Sequence, residues 1–314
     1  MPKVSVIIPI FGVEKYIERC ARSLFEQTLD EIEYIFIDDC TTDGSIKVLK
    51  QVLKEYPQRK AQVTIHRMDQ NSGQAKVREW GVKNAKGEYV IHCDSDDWVE
   101  VDMYHTMYEK AKEDSADIVS CNYYEEYGSH NKPMRKLLSS SDTNVTLIKR
   151  ILKGVGNLNS LWSILVSRKL YEKIEYPSFN QSEDFAMVTQ FFLYSSKSVS
   201  IDKYFYHYSV NPQSISHNPE KEKILSRLND AINNRKFVYK FIEEKGLGLE
   251  LKEEIVVSKS MTKCFVLNAE KDSSFKSLWN SIFPEVNKKL MFSPLVPTKL
   301  KCYHLLVQLN LTSF

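Results

Sequence analysis

Glycine is scarce in this chain of 314 residues: there are ten, and they gather neither into G-x-G-x-x-G nor into a loop ending Gly-Lys-Ser/Thr. A dinucleotide-binding turn or a P-loop needs those patterns, because the backbone must approach a pyrophosphate closely. A dehydrogenase and a kinase-type phosphate loop are therefore excluded. Pro9–Lys15, after the first apolar run, contains only Gly12, which counts against a sugar-phosphate nucleotidyltransferase. The six cysteines (Cys20, Cys40, Cys93, Cys121, Cys264, Cys302) form no C-x-x-C pair. That argues against a disulfide framework or a thiolate zinc site and fits a reducing, cytoplasmic setting. No apolar run approaches the ~20 residues that span a bilayer. The first run, Val4–Ile8, meets Pro9 without a cleavage pattern, so the expectation is a soluble protein, at most peripheral at the inner membrane face. No basic patch supports nucleic-acid binding.

What is present is ordinary for a globular protein: 42% hydrophobic and 27% charged residues. The length suits one domain of about 200 residues with a smaller second unit. The net charge of +2 is unevenly spread, since residues 219–314 hold 16 Lys/Arg against 11 Asp/Glu. Solvated helix faces or an anionic partner surface both accommodate that surplus.

Residues 1–125 alternate short apolar runs with helical patterns. Val4–Ile10, Tyr34–Ile37, Val63–His66 and Tyr89–Cys93 read as strands. Helical spacing occupies Val13–Leu29, Ile46–Tyr56 and Gln74–Ala85, the last closed by Gly87. This order implies an α/β fold with a mostly parallel sheet and helices on both faces, whose ligands bind beyond the carboxyl ends of the strands. Asp117–Tyr124 reads as a further strand and 125–143 as loop. Val145–Leu152, Leu170–Ile174 and Phe185–Tyr194 look helical, and Ser198–Ile201 and Tyr204–Val210 look like two strands. From Pro219 onward the pattern is helical. The expected organisation is a domain over 1–217, with an acceptor-side portion about 125–217, and a helical region over 218–314.

The chemistry-bearing residues follow strands. Asp94-Ser95-Asp96-Asp97 puts three carboxylates in four residues after Tyr89–Cys93, a costly arrangement without a partner. A hard divalent cation such as Mn²⁺ or Mg²⁺ would relieve it, taking one or two carboxylates plus substrate phosphates. The rival reading is a helix N-cap, with Asp97 before a helix begun by Trp98-Val-Glu. Asp38-Asp39 ends the second strand and offers acceptors for a base N–H and ribose hydroxyls, or else builds a turn. Asn71-Ser-Gly73 precedes a helix bearing Arg78, whose planar fork suits a diphosphate or base carbonyl. The segment Phe11-Gly-Val-Glu14 borders the same region. Glu183-Asp184 opens the Phe185–Tyr194 helix, either as first-turn acids behind Ser182 or as a carboxylate that deprotonates an acceptor hydroxyl. His207, ahead of Gln213-Ser-Ile-Ser216, is a phosphate or metal contact or a packed residue. The tyrosines at 204–208 read as sheet-face residues more readily than as sugar platforms.

In order and spacing, Val4-Ser-Val-Ile-Ile-Pro-Ile-Phe, Ile35-Phe-Ile-Asp-Asp-Cys-Thr-Thr-Asp-Gly-Ser45, Asn71-Ser-Gly-Gln-Ala, Gly87-Glu-Tyr-Val-Ile-His-Cys-Asp-Ser-Asp-Asp97 and Ser182-Glu-Asp184 resemble the family 2 glycosyltransferases, inverting enzymes of the GT-A fold. The resemblance covers roughly residues 1–216. It implies that Pro9, Phe11, Asp38, Asp39, Arg78, Asp94 and Ser95 border the nucleotide, usually with uracil as the base. It also implies that Asp96 meets the metal ion and that Asp184 is the catalytic base. The chain departs from the family's usual pattern at Pro9-Ile-Phe-Gly12, at Asp38-Asp-Cys-Thr, at Val77-Arg-Glu79 and at Trp162-Ser-Ile-Leu165. The implied partners are a nucleotide-diphosphate sugar and a glycan or lipid-linked acceptor. A catalytically silent nucleotide- or glycan-binding module is the alternative. Leu295–Leu311 carries six leucines among Lys299 and Lys301; a helix there packs on the protein or a second subunit, or lies on a membrane.

Overall fold

The strand–helix alternation is present as β1 (Val4–Ile10), α1 (Ile17–Phe25), β2 (Ile32–Asp38), α2 (Ser45–Glu55), β3 (Val63–Arg67), α3 (Gln74–Asn84) and β4 (Tyr89–His92). The computed structural model describes residues 1–135, 142–210, 220–267 and 274–311. Side chains of β1 alternate between two sheet faces, and both faces are buried. Val4, Val6, Ile8 and Ile10 enter a core with Cys20, Leu24 and Phe25 of α1 and Leu49 and Val52 of α2. Ile7 faces the other way, against α3, where a Cβ on Gly81 would stand 2.5 Å from its Cγ2. A strand covered on both faces reads as an unbroken apolar run, which is what Val4–Ile8 is.

Parallel pairing sets the site. Ile10 lies beside Asp38, and Ile7 beside His92. The chain therefore leaves β1, β2 and β4 at one edge of the sheet, delivering Phe11, Asp39 and Asp94 to the same rim.

Further along come β5 (Trp98–Val99), α4 (Met103–Asp114), β6 (Ile118–Glu126), β7 (Asn131–Met134), α5 (Asn144–Leu152), β8 (Ile164–Ser167), α6 (Arg168–Tyr171), α7 (Glu183–Tyr194) and β9 (Ser198–Ser209). Among the described residues the sheet runs β3-β2-β1-β4-β8-β6-β9-β5, with β7 hairpinned onto β6. It is parallel from β3 to β4 and mixed beyond, because β8 is antiparallel to both neighbours while β6 and β9 run parallel. Three local readings change. The stretch 125–143 contains β7, four residues with a proline and too short to show a period. The two strands expected over 198–210 are one: a register shift between Cys121 and Tyr123 absorbs the polar Asp202-Lys203, and Asp202 accepts from Asn122 (2.9 Å). Trp98-Val99 is a strand on β9 rather than the start of a helix.

The chain divides into two compact units. The first comprises Met1–Leu147, Gly156–Tyr176 and Met187–Asn211, and holds the sheet. The second comprises Ile148–Val155, Pro177–Ala186 and Pro212–Phe314. It contains α8 (Lys221–Glu244), α9 (Lys252–Thr262), α10 (Phe275–Ser281), α11 (Asn287–Phe292) and α12 (Thr298–Gln308), with Trp279 fully buried among them. The expected boundary at 217–218, and Gln213–Ser216, lie outside the described residues.

Candidate active site

Asp38 and Asp39 are both buried, and both build loops. Asp38 accepts the Thr41 N–H (2.7 Å) and an Arg67 N–H. Asp39 accepts from the backbone N–H groups of Ser72 (2.7 Å) and Gly73 (2.9 Å), so it holds the turn that starts α3. Gly73 sits at φ 80°, a backbone state that glycine adopts without strain. Beside them Gly12 donates to Thr41 Oγ1 (2.9 Å), Phe11 is 46% exposed and Pro9 is half-buried. Each carboxylate oxygen retains a second lone pair for a ligand.

Arg78 reaches from α3 to Asp94 (2.7 Å) with its guanidinium buried. It thus ties the third helix to the acidic turn, and removing Asp94 would leave a buried guanidinium charge without that partner. Burial first, and then the Arg78 charge, keep His92 neutral, pushing that imidazole well below its usual range.

The acidic turn divides its carboxylates among different tasks. Asp97 is fully buried, accepting from Tyr206 Oη (2.7 Å) and the Ser209 N–H (2.7 Å). This corrects the capping alternative for Asp97, since the next helix begins only at Met103. The Asp94 N–H donates to Tyr206 Oη (3.1 Å) and Ser209 Oγ donates to the Asp96 carbonyl (2.8 Å). Ser95 is buried in the turn. Burial first, and then the charge of Asp94, push the Asp96 carboxyl up to about 6. Among the described residues no Lys or Arg forms an ion pair with it.

A divalent cation fits this arrangement. The donors are hard oxygens, and Asp96 carries a burial penalty that a cation would offset. Among the described residues no three His, Cys, Asp or Glu side chains form an all-protein cage.

Sequence reasoning named His207 and the tyrosines at 204–208, but missed the wall they form behind the turn with Arg19, Trp98 and Trp162. Arg19 donates to Ser209 Oγ (2.8 Å) and lies over the Trp98 ring. Trp98 stacks on His207 at 3.4 Å, and Trp162 stacks on Tyr206 at 4.2 Å. His207 is occupied at both ring nitrogens, by Glu126 (2.7 Å) and Glu100 (2.9 Å), so it is a packed residue and not a phosphate or metal contact. Tyr206 is likewise a buried support, not a sugar platform. The hydrogen bonds of this wall join residues more than 80 positions apart, and no local spacing announces them.

Asp184 belongs to the second unit. It opens α7 behind Ser182, whose φ is 67°, and accepts the Phe185 N–H (2.7 Å). Three residues of α8 shape that turn. Asn234 Nδ2 donates to the carbonyls of Phe179 (2.8 Å) and Gln181 (2.9 Å), and Asp230 accepts the Gln181 N–H (3.4 Å). Arg235 donates to Ser182 Oγ (3.2 Å) and lies 5.0 Å from the Phe185 ring centre. Burial lowers the Arg235 pKa, while the charges of Tyr239 and Asp184 oppose the shift.

Residues 5–175 match the family described as Glycosyl transferase family 2, more than half the chain. The chain belongs to that family. Among similar proteins, Glycosyltransferase GlyA of Streptococcus pneumoniae serotype 4 is 28% identical over 278 residues, 85% of this chain and 38% of GlyA. The chain thus spans about two fifths of that relative's length. S. aureus TarS 1-349, solved with UDP-GlcNAc, superposes with a TM-score of 0.58 at 19% identity, covering 99% of this chain and 88% of that one. The mannosyltransferase PcManGT of Pyrobaculum calidifontis, solved with GDP-Man and Mn²⁺, gives 0.56 at 15% identity, covering 98% and 86%. These likenesses show that the family 2 chain has the GT-A fold with a helical C-terminal region. The motif Ser182-Glu-Asp184 and all of α8 lie beyond the matched 5–175.

Proposed function

We propose that the chain is an inverting glycosyltransferase that moves a sugar from a UDP-sugar onto an acceptor hydroxyl of a glycan or lipid-linked glycan in polysaccharide biosynthesis. The observation that carries this reading is the acidic turn. Asp94 is bound to Arg78 and Asp97 is sealed by Tyr206 and Ser209, which leaves Asp96 as a burdened carboxyl at the rim. Such a turn is costly alone and favourable with a cation–diphosphate. The solved complexes of TarS with UDP-GlcNAc and of PcManGT with GDP-Man and Mn²⁺ support a nucleotide-sugar donor and a divalent cation.

In this reading Asp38 and Asp39 accept from the base and ribose through their remaining lone pairs, with Pro9 and Phe11 alongside. Arg78, Asp94 and Ser95 hold the ribose and diphosphate side, and Asp96 would hold Mn²⁺ or Mg²⁺. When bound, the cation supplies positive charge to a diphosphate leaving group. Asp184 is the base: its carboxylate takes the proton of the acceptor hydroxyl as the new C–O bond forms and the bond to the diphosphate breaks, inverting the anomeric carbon. The expected consequence is that Asp184→Asn lowers turnover about 10²–10⁴-fold while nucleotide affinity stays unchanged. Steady-state transfer rates and calorimetric nucleotide binding check both halves; near-normal turnover would remove Asp184 from the role.

A further inference from the structure

We propose that the surface of residues 287–311 docks on an anionic lipid surface. From Val286 onward the sequence has four lysines (Lys288, Lys289, Lys299, Lys301) and no aspartate or glutamate. Lys288, Lys289 and Lys299 are exposed and Lys301 is half-exposed. The same stretch leaves Phe292 86% exposed, Leu309 66% and Leu305 46%, with Leu295 and Leu311 also exposed.

The leucines of α12 divide by face. Leu300, His304 and Val307 turn inward, where Trp279 Nε1 donates to His304 Nδ1 (3.0 Å). Thr298, Cys302, Leu305 and Leu309 follow at helical spacing on the outward face, all exposed. Packing thus accounts for one face and leaves the other in water. The outward leucines are also firmly placed. Asn310 (φ 59°) donates to Val307 and Leu311 donates to Leu306 (2.8 Å), a closed helix end that holds Leu309 and Leu311 in fixed backbone.

One exposed leucine is unremarkable. An exposed phenylalanine and four exposed leucines in the same segment as four lysines, with Glu253 on Ser293 Oγ (3.2 Å) as a neighbouring acid, have the chemistry of an interfacial helix region: apolar side chains for the acyl boundary and ammonium groups for anionic headgroups. A second copy of the chain fits worse, because a two-fold interface would set lysines against lysines with no acid in the segment to neutralise them. Among the described residues no helix is long and apolar enough to cross a membrane.

Vesicle flotation tests this independently of the transfer reaction. The wild-type chain should float with phosphatidylcholine vesicles containing phosphatidylglycerol, bind pure phosphatidylcholine at least about tenfold more weakly, and be released by high salt. Leu305→Glu/Leu309→Glu should lower the bound fraction about tenfold while circular dichroism and the melting temperature stay unchanged, since both sites are solvent-exposed. Lys299→Glu/Lys301→Glu should weaken binding to the anionic vesicles alone. The proposal is overturned if anionic vesicles do not bind the chain, or if neutral and anionic vesicles bind it equally. It also falls if the leucine variant binds as the wild type does, or if light scattering shows a dimer abolished by that variant with no vesicle binding.

Discussion

The acidic turn around Asp94 and Asp96 could be read from the sequence because three acids in four residues after a strand are costly without a partner. Their cost in a buried turn is a local property, visible without any fold. Their supports were not readable: Tyr206, Ser209 and Arg19 reach the turn from distant segments, and nothing near them in sequence reports it. Asp38 and Asp39 lie between these cases. Their place at a strand end was legible, but the loops they hold, through Arg67 and through Ser72 and Gly73, were not. A buried residue outside the site gives a prediction at this scale. Lys263 is fully buried, donating to the carbonyls of Trp279 (2.7 Å) and Ile282, and burial lowers its pKa from 10.5 to about 8. Its folded pKa lies below its unfolded one. Between about 8 and 10.5 the unfolded chain therefore binds the extra proton, and stability should rise with pH. The gain is at most about 3 kcal/mol. Melting temperatures of wild type and Lys263→Met should diverge across that window; parallel curves would contradict the shift.

At the scale of elements, the β1–β4 half was legible because each strand is a continuous apolar run and each helix a one-sided stripe. Gly87 shows the limit. Its position suggests a stop for α3, but α3 ends at Asn84, and Gly87 instead lets the chain pass close to β1. A Cβ there would stand 2.6 Å from the Ser5 nitrogen and 2.8 Å from the Val4 carbonyl carbon, backbone atoms that cannot swing aside. Gly87→Ala should destabilise the chain by about 1–3 kcal/mol, read as a lower urea midpoint at unchanged slope. The turn that carries Asp184 is a second case. Asn234 of α8 gathers the Phe179 and Gln181 carbonyls, so Asn234→Ala should loosen residues 179–185. Under the proposed function, kcat should then fall about tenfold or more with nucleotide affinity unchanged. An unchanged kcat would show that α8 does not set the turn.

For the whole molecule, the sequence pattern suggested two successive regions. The segment that carries Asp184, Pro177–Ala186, gathers with the C-terminal helices rather than with the sheet. That was hidden because the joining hydrogen bonds span more than 50 positions, from Asn234 and Arg235 back to Phe179–Ser182. The family match and the shared GT-A fold place the chain among the family 2 glycosyltransferases. The central claim, that the acidic turn receives a cation-bound nucleotide-diphosphate sugar, depends on Asp96. Its most direct test is isothermal calorimetry of UDP and UDP-sugars with and without Mn²⁺, on the wild type and on Asp96→Asn. Binding should strengthen with Mn²⁺ in the wild type and lose its Mn²⁺ dependence in the variant, with the fold intact by circular dichroism. Nucleotide binding indifferent to Mn²⁺ in the wild type, or the same Mn²⁺ response in Asp96→Asn, would contradict it.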